Sequence, residues 1–346
     1  MRVAIGIGGP ASGGTRGWQD AVELAVEAER LGVDSAWSAE AWGREAVAPV
    51  AYLAAKTPRL RLGTGIMQIS ARTPAMTAMT ALTLAEISGD RFLLGLGASG
   101  PQVVEGLHGI PFAGALDRLR DTVAVVRLAC RGERIAYRGR SLELPRPGGE
   151  GKALRLAIPP RSVPIYLATL SPKSLELTGE LADGWLAASF VPEHADVFLA
   201  ALRRGAERAG RALADLDLAA GGDVAFGDDV ERMVAARRPR LAFTLGAMGS
   251  ARHNFYNDAF RRAGYEDDAR AVQALWLAGR RDEAAARVPD ELVLRTNLLG
   301  TDAMVGARMR AYRDAGVTTL RLAPEGATNA ARIETLARAM DLLRSV

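Results

Sequence analysis

Leu60-Arg-Leu-Gly-Thr-Gly-Ile66 and Phe92-Leu-Leu-Gly-Leu96 are two short apolar runs, and what joins them decides the fold. Each has the length and composition of a strand buried on both faces. Between them, Thr73-Pro74 supplies an N-cap and a first-turn proline, and Gly89 ends the helix they begin. Met76, Met79 and Leu82 recur at three-residue spacing and predict the apolar face of that helix. Strand, helix and strand form a right-handed βαβ unit, which sets Gly65-Ile66 beside Gly97 to Gly100 at the carboxyl edge of the sheet. In α/β proteins that edge is where ligands bind.

Working outward, the same alternation recurs. Further strands are predicted at 3–7, 34–38, 165–168, 184–187, near 216–226 and at 319–322, with helices at 18–31, 45–56, 116–130, 174–181, 193–209 and 333–343. Ala21, Leu24, Ala25, Ala28 and Leu31 form the inner face of the first helix, and Gly8 to Gly14 a flexible loop before it. The junctions Leu31-Gly-Val-Asp34, Leu181-Ala-Asp-Gly184 and Ala315-Gly-Val-Thr318 repeat one αβ unit. Eight such strands predict an α/β chain folded as a (β/α)₈ TIM barrel, a single domain over 1–346 in preference to two domains. Two segments break the rhythm. Residues 132–164 begin with Arg134 to Leu144 alternating around Gly139 like a hairpin and continue as a Pro/Gly-rich loop. About ninety residues separate strands seven and eight, with helices predicted at 228–245, 253–263, 267–277 and 283–294. This helical insertion, centred on 247–300, is expected over the catalytic face.

The 346 residues suffice for a large core, and no apolar run reaches the roughly 18 residues of a membrane span. Met1-Arg-Val-Ala-Ile-Gly enters a strand at once without a cleavable signal pattern, and Cys130 has no cysteine to pair with, so a reducing cytoplasm is expected. The 44 basic and 40 acidic residues leave a net charge of +4. Arginine and acid are interspersed, as in Arg203-Arg-Gly-Ala-Glu-Arg208, which describes a solvated surface and not a nucleic-acid face.

Gly95-Leu-Gly-Ala-Ser-Gly100 fits the dinucleotide fingerprint G-x-G-x-x-G, but Pro101, Gly106, Gly109 and Pro111 interrupt the long helix that motif should open. A cofactor-approach loop of a barrel, or an ordinary tight turn, is the reading that remains. Thr169-Leu-Ser-Pro-Lys-Ser174 starts a helix with Ser171, Lys173 and Ser174 placed to receive a phosphate, or simply to cap it. Glu40, past strand two and flanked by Trp37 and Trp42, is expected at the barrel mouth or as a loop carboxylate. His108, His194 and His253 lack metal-ligand spacing, so no metal is expected. His253-Asn-Phe-Tyr-Asn257 reads equally as a capped helix start and as a substrate contact. No nucleophile elbow is present.

On Leu62-Gly-Thr-Gly-Ile-Met67, Ala71-Arg-Thr-Pro74, Gly95 to Gly106, Ala182-Asp-Gly-Trp185 and Asn254-Phe-Tyr-Asn-Asp258, the chain resembles the bacterial luciferase-like superfamily. The likeness is to its branch using the deazaflavin coenzyme F420, in an actinobacterial oxidoreductase subfamily. The resemblance implies a cis peptide at Gly65-Ile66 behind the deazaflavin ring, with Gln68 and Glu40 near that ring. It implies cofactor contacts at Gly97, Ala98 and Ser99, and a phosphate loop at Leu170, Ser171, Lys173 and Ser174. Many relatives carry glycine at the Ser171 place. Sugar-phosphate dehydrogenases of the superfamily pair a histidine with a glutamate where this chain has Ala41 and Gly100. Without that pair, reduction is expected in place of alcohol oxidation: hydride passes to an activated C=C, C=N or C=O bond of a small molecule or peptide intermediate. Glu40, His108 and Tyr256 are candidate proton donors. The alternatives are an FMN-dependent monooxygenase and a non-catalytic cofactor-binding barrel. A homodimer is expected, through a helix face near Tyr52 and Leu53.

Overall fold

The computed structural model describes residues 1–7, 17–250 and 254–345; the predicted loop Gly8–Gly14 and His253 lie outside the described residues. The barrel strands are β1 (Arg2–Ile7), β2 (Ser35–Ser38), β3 (Arg61–Thr64), β4 (Phe92–Gly97), β5 (Ile165–Ala168), β6 (Gly184–Leu186), β7 (Asp217–Phe226) and β8 (Thr319–Pro324). All pair in parallel in that order, and β8 to β1 and β6 to β7 close the ring. The expected (β/α)₈ barrel is therefore the observed architecture.

Two layers of packing follow from strand alternation. Leu320 and Leu322 of β8, Leu94 and Leu96 of β4, and Ile165 and Leu167 of β5 point outward into the core shared with the helices. Ala4, Trp37, Leu93, Tyr166, Leu186 and Ala219 point inward and fill the barrel axis. Trp37 and Tyr166 meet edge to face, 5.0 Å between ring centres. Room for these rings comes from glycine: a Cβ on Gly63 would lie 2.4 Å from the Trp37 ring, and one on Gly184 2.2 Å from Tyr166. Trp37 is thus a core residue, whereas Trp42 is 62% exposed.

The helix Pro74–Ser88 begins on the Thr73 cap and ends at left-handed Gly89, as expected. Its inner face differs. Met76 and Met79 are 49% and 45% exposed, while Thr77, Ala78, Ala81, Leu82 and Ala85 are buried. Small side chains let the helix approach the sheet closely, and the long methionines are left outside. The predicted helix 45–56 shortens to Val47–Ala54, with Leu53 fully buried and Tyr52 exposed, so only Tyr52 belongs to a surface face.

The hairpin is present as Tyr137–Arg138 paired with Glu143–Leu144 and tied down by Asp121, which accepts from the Tyr137 hydroxyl and from Ser141. In the large insertion, helices Val230–Ala247, Phe255–Phe260 and Glu266–Leu277 match expectation, and share a second hydrophobic core. The predicted helix 283–294 is broken into Arg281–Ala286 and Asp290–Thr296, because Pro289 cannot continue the first. A strand the sequence did not announce, Leu298–Gly300, pairs with the end of β7. The insertion does reach the carboxyl rim: Arg262 donates to the Leu170 carbonyl after β5, and Phe255 packs on Phe112 in the segment after β4.

Candidate active site at the carboxyl rim

β3 stops at Thr64, and the chain resumes as Met67–Gln68 alongside Leu96 and Gly97 of β4. The Gly65–Ile66 peptide between them is cis. The surroundings leave little latitude. A Cβ on Gly65 would lie 3.1 Å from Trp37 Cβ, and one on Gly97 3.0 Å from the Ile66 side chain. Thr64 Oγ1 donates to the Gly95 carbonyl and accepts from the Gly95 amide, at 2.8 and 2.9 Å.

Glu40 locks this segment. Its Oε1 accepts from the Gln68 amide and from Arg72 Nη1, both at 2.7 Å, and its Oε2 accepts from the Ala46 amide at 3.1 Å. The side chain is only 6% exposed. A carboxylate so engaged fixes the loop, and three donors stand between it and a part in proton transfer. Gln68, 2% exposed, donates through Nε2 to the Ala41 carbonyl. Its Oε1 is buried and has no partner among the described residues, and the same is true of Ser70 Oγ and His108 Nε2 on the neighbouring segments. Buried polar atoms are normally paired, so these acceptors and hydroxyls are fitted for a bound group that brings donors.

The glycine loop opens no long helix: Pro101–Val104 is a single turn, so the dinucleotide reading falls. Ser99 takes a left-handed φ of 58°, and Ala98 packs on the core below it. After β5, Ser171 caps the helix Pro172–Leu181 by accepting from the Ser174 amide, and the two hydroxyls lie 2.8 Å apart. Leu170 is half-buried beside them, and Lys173 is exposed with no ion pair among the described residues. Arg262, from the insertion, joins this loop through its 2.6 Å bond to the Leu170 carbonyl. Burial lowers the Arg262 pKa, with Asp258 opposing. Nothing in the local sequence marks this arginine, since it depends on how the insertion docks.

Asn254 caps the helix Phe255–Phe260, and the Asn254 and Asn257 amides hold the Leu245 and Ala269 carbonyls. The asparagines of this motif are therefore structural. Tyr256 is different: its hydroxyl has no bonded partner among the described residues, and burial pushes its pKa up, keeping the phenol protonated. Among the described residues no cluster of His, Cys, Asp and Glu could hold a metal, and no helix is long and apolar enough to cross a membrane.

The chain as a whole has relatives among known proteins. Residues 2–319 match the family described as luciferase-like monooxygenase. The chain belongs to that family. It is 40% identical over 311 residues to a Mycobacterium tuberculosis protein provisionally named coenzyme F420-dependent oxidoreductase Rv3520c, covering 87% of this chain and 90% of that one. It is 28% identical over 295 residues to the 5,10-methylenetetrahydromethanopterin reductase of Archaeoglobus fulgidus, covering 84% and 85%. Its fold is that of the coenzyme F420-dependent tetrahydromethanopterin reductase of Methanopyrus kandleri, with a TM-score of 0.78 over 97% and 98% of the two chains at 22% identity.

Proposed function

We propose that this luciferase-like chain is an F420-dependent reductase. The observation that carries the reading is the buried Gln68 Oε1, unpartnered among the described residues, on a segment held by the Glu40–Arg72 clamp beside the Gly65–Ile66 cis peptide. A deazaflavin offers an imide N–H to such an acceptor, and the names of the M. tuberculosis and archaeal relatives favour this cofactor over FMN. Reduced F420, when bound, supplies a hydride to an activated C=C, C=N or C=O bond, and one proton completes the addition. The chain's own residues bind and orient. Gly97, Ala98, Ser99, Gly65 and Ile66 shape the ring cradle; Leu170, Ser171, Lys173 and Ser174, with Arg262, hold the phosphate end. Tyr256, kept neutral, delivers the proton, with His108 as the second donor available.

The test is titration of the pure protein with F420 and with FMN, followed by fluorescence. Micromolar F420 binding without FMN binding is expected, and Gln68→Ala should weaken it. Tight FMN binding with none for F420 would replace this reading by the monooxygenase one. Tyr256→Phe should lower kcat by ~10-fold or more while leaving F420 affinity unchanged. We also infer a cytoplasmic homodimer using the exposed helix face at Tyr52; sedimentation of Tyr52→Glu should then give a monomer.

A further inference from the structure

Arg321 belongs to no part of the site described so far. It sits on β8 between Leu320 and Leu322, which point outward, and so faces the barrel interior. Its register partners, Ala4 on β1 and Gly221 on β7, confirm that face, because Ala4 lies in the axial cluster. The guanidinium reaches past β7 to donate from Nη1 to the Ala187 carbonyl, just beyond β6, at 3.2 Å. No carboxylate pairs with it among the described residues. Burial alone lowers its pKa, and nothing nearby raises it. Yet the residue as a whole is only half-buried, and its remaining N–H groups have no protein partner among the described residues.

An arginine on the inner face of a barrel strand is costly to desolvate and is ordinarily matched by an acid. Here a second group waits with it. Ser189, two residues past Ala187, holds a left-handed φ of 54°, and its hydroxyl is buried without a partner among the described residues. A planar fork of N–H donors and a spare hydroxyl on adjoining rim segments are the donor set for a carboxylate.

We propose that Arg321, assisted by Ser189, reads a carboxylate on the substrate. The inference rests on the reductase reading for its chemistry, but its binding half does not need the cofactor. It narrows the substrate class to activated alkenes, imines or ketones that carry a carboxylate.

The experiment uses the 4-oxo-2-alkenoates from five to ten carbons and their methyl esters. Calorimetry on the cofactor-free protein should detect the acids and not the esters. With reduced F420, kcat/KM should favour the best acid over its ester by about 10- to 100-fold, carried by KM. Arg321→Gln should erase that preference and the calorimetric signal, Arg321→Lys should keep part of both, and F420 affinity should stay at the wild-type value in each. Ser189→Ala, which removes no charge, should weaken the acids alone. The proposal falls if no acid binds, if the preference survives Arg321→Gln, or if that variant instead loses F420 affinity, which would assign the guanidinium to the cofactor. Should the wild type bind the acids but never F420, the cofactor reading fails and the carboxylate site stands.

Discussion

Around Glu40, three donors close on one carboxylate, whereas across the barrel Arg321 spends one N–H on Ala187 and leaves the others open. The backbone is close-packed on both sides, since a Cβ on Gly221 beside Arg321 would lie 1.9 Å from the Arg321 carbonyl oxygen, so the difference lies in the side chains. At β2 to β4 the backbone runs against aromatic rings and carbonyls with no slack, as the positions of Gly63, Gly95 and Gly97 require. At β8 the inward face ends in Ala323, which is exposed to the mouth. A surface fixed by packing can serve a rigid, invariant ligand, while one with unspent donors can serve a ligand that differs from enzyme to enzyme. The division assigns the first to the ring of the cofactor and the second to the substrate.

The strongest way to break this contrast is to load the tight side. A Cβ on Gly95 would fall 1.8 Å from the Thr64 carbonyl oxygen, a backbone atom that cannot swing away. Gly95→Ala is expected to cost about 3 kcal/mol or to abolish soluble expression. Gly6→Ala, with nothing within 4 Å, should change stability by no more than ~0.5 kcal/mol. Thermal denaturation of the pair decides, and equal melting temperatures would mean that the β3–β4 side is not the tight one.

Next comes the clamp itself. Glu40→Gln removes the charge that holds Arg72, with both side chains largely shielded from solvent. A loss of about 2 kcal/mol is expected, together with weaker F420 binding because the Gln68 segment is no longer fixed. Unchanged stability with lost turnover would make Glu40 the acid.

The tight side was largely readable in the sequence, and the open side was not. Glycine spacing in Leu62 to Ile66 and Gly95 to Gly100 announced close backbone approach, because only glycine tolerates it. The Met76/Met79 face failed because an almost uniformly apolar helix carries no directional signal; the small residues chose the buried face. The alternation Thr319-Leu-Arg-Leu322 does place an arginine inside a barrel, a signal present but usable only once the strand's inner face is known. Arg262 had no signal at all, since a contact between the insertion and the β5 loop is set by tertiary docking.

Arg262 supplies a smaller test of where the two sides meet. Arg262→Ala should raise the F420 dissociation constant by ~10-fold, with kcat nearly unchanged and a weaker salt dependence of binding. A fall in kcat with affinity intact would move Arg262 from the phosphate end to the reacting end.

At neutral pH the raised phenol pKa values have no effect on stability, and the sign of their effect at alkaline pH is fixed. Burial raises the hydroxyl pKa of Tyr166 and Tyr312 strongly, that of Tyr256 as well, and that of Tyr137 to about 12, where the bond to Asp121 adds to it. In the unfolded chain these phenols ionise near their ordinary value of about 10. Below that pH both states hold the proton and the groups add no pH dependence. Above it the unfolded state loses protons that the folded state keeps, so stability must fall as pH rises, by at most ~1.4 kcal/mol per unit for each group. Urea denaturation should therefore give a flat profile from pH 7 to 9 as far as these groups are concerned, and a decline beyond 10. Replacing Tyr256 with Phe should make that decline shallower, because one of the titrating phenols is gone. A slope unaltered by the substitution would mean that Tyr256 is open to water, and that the phenol is no better shielded as a proton donor than any surface tyrosine.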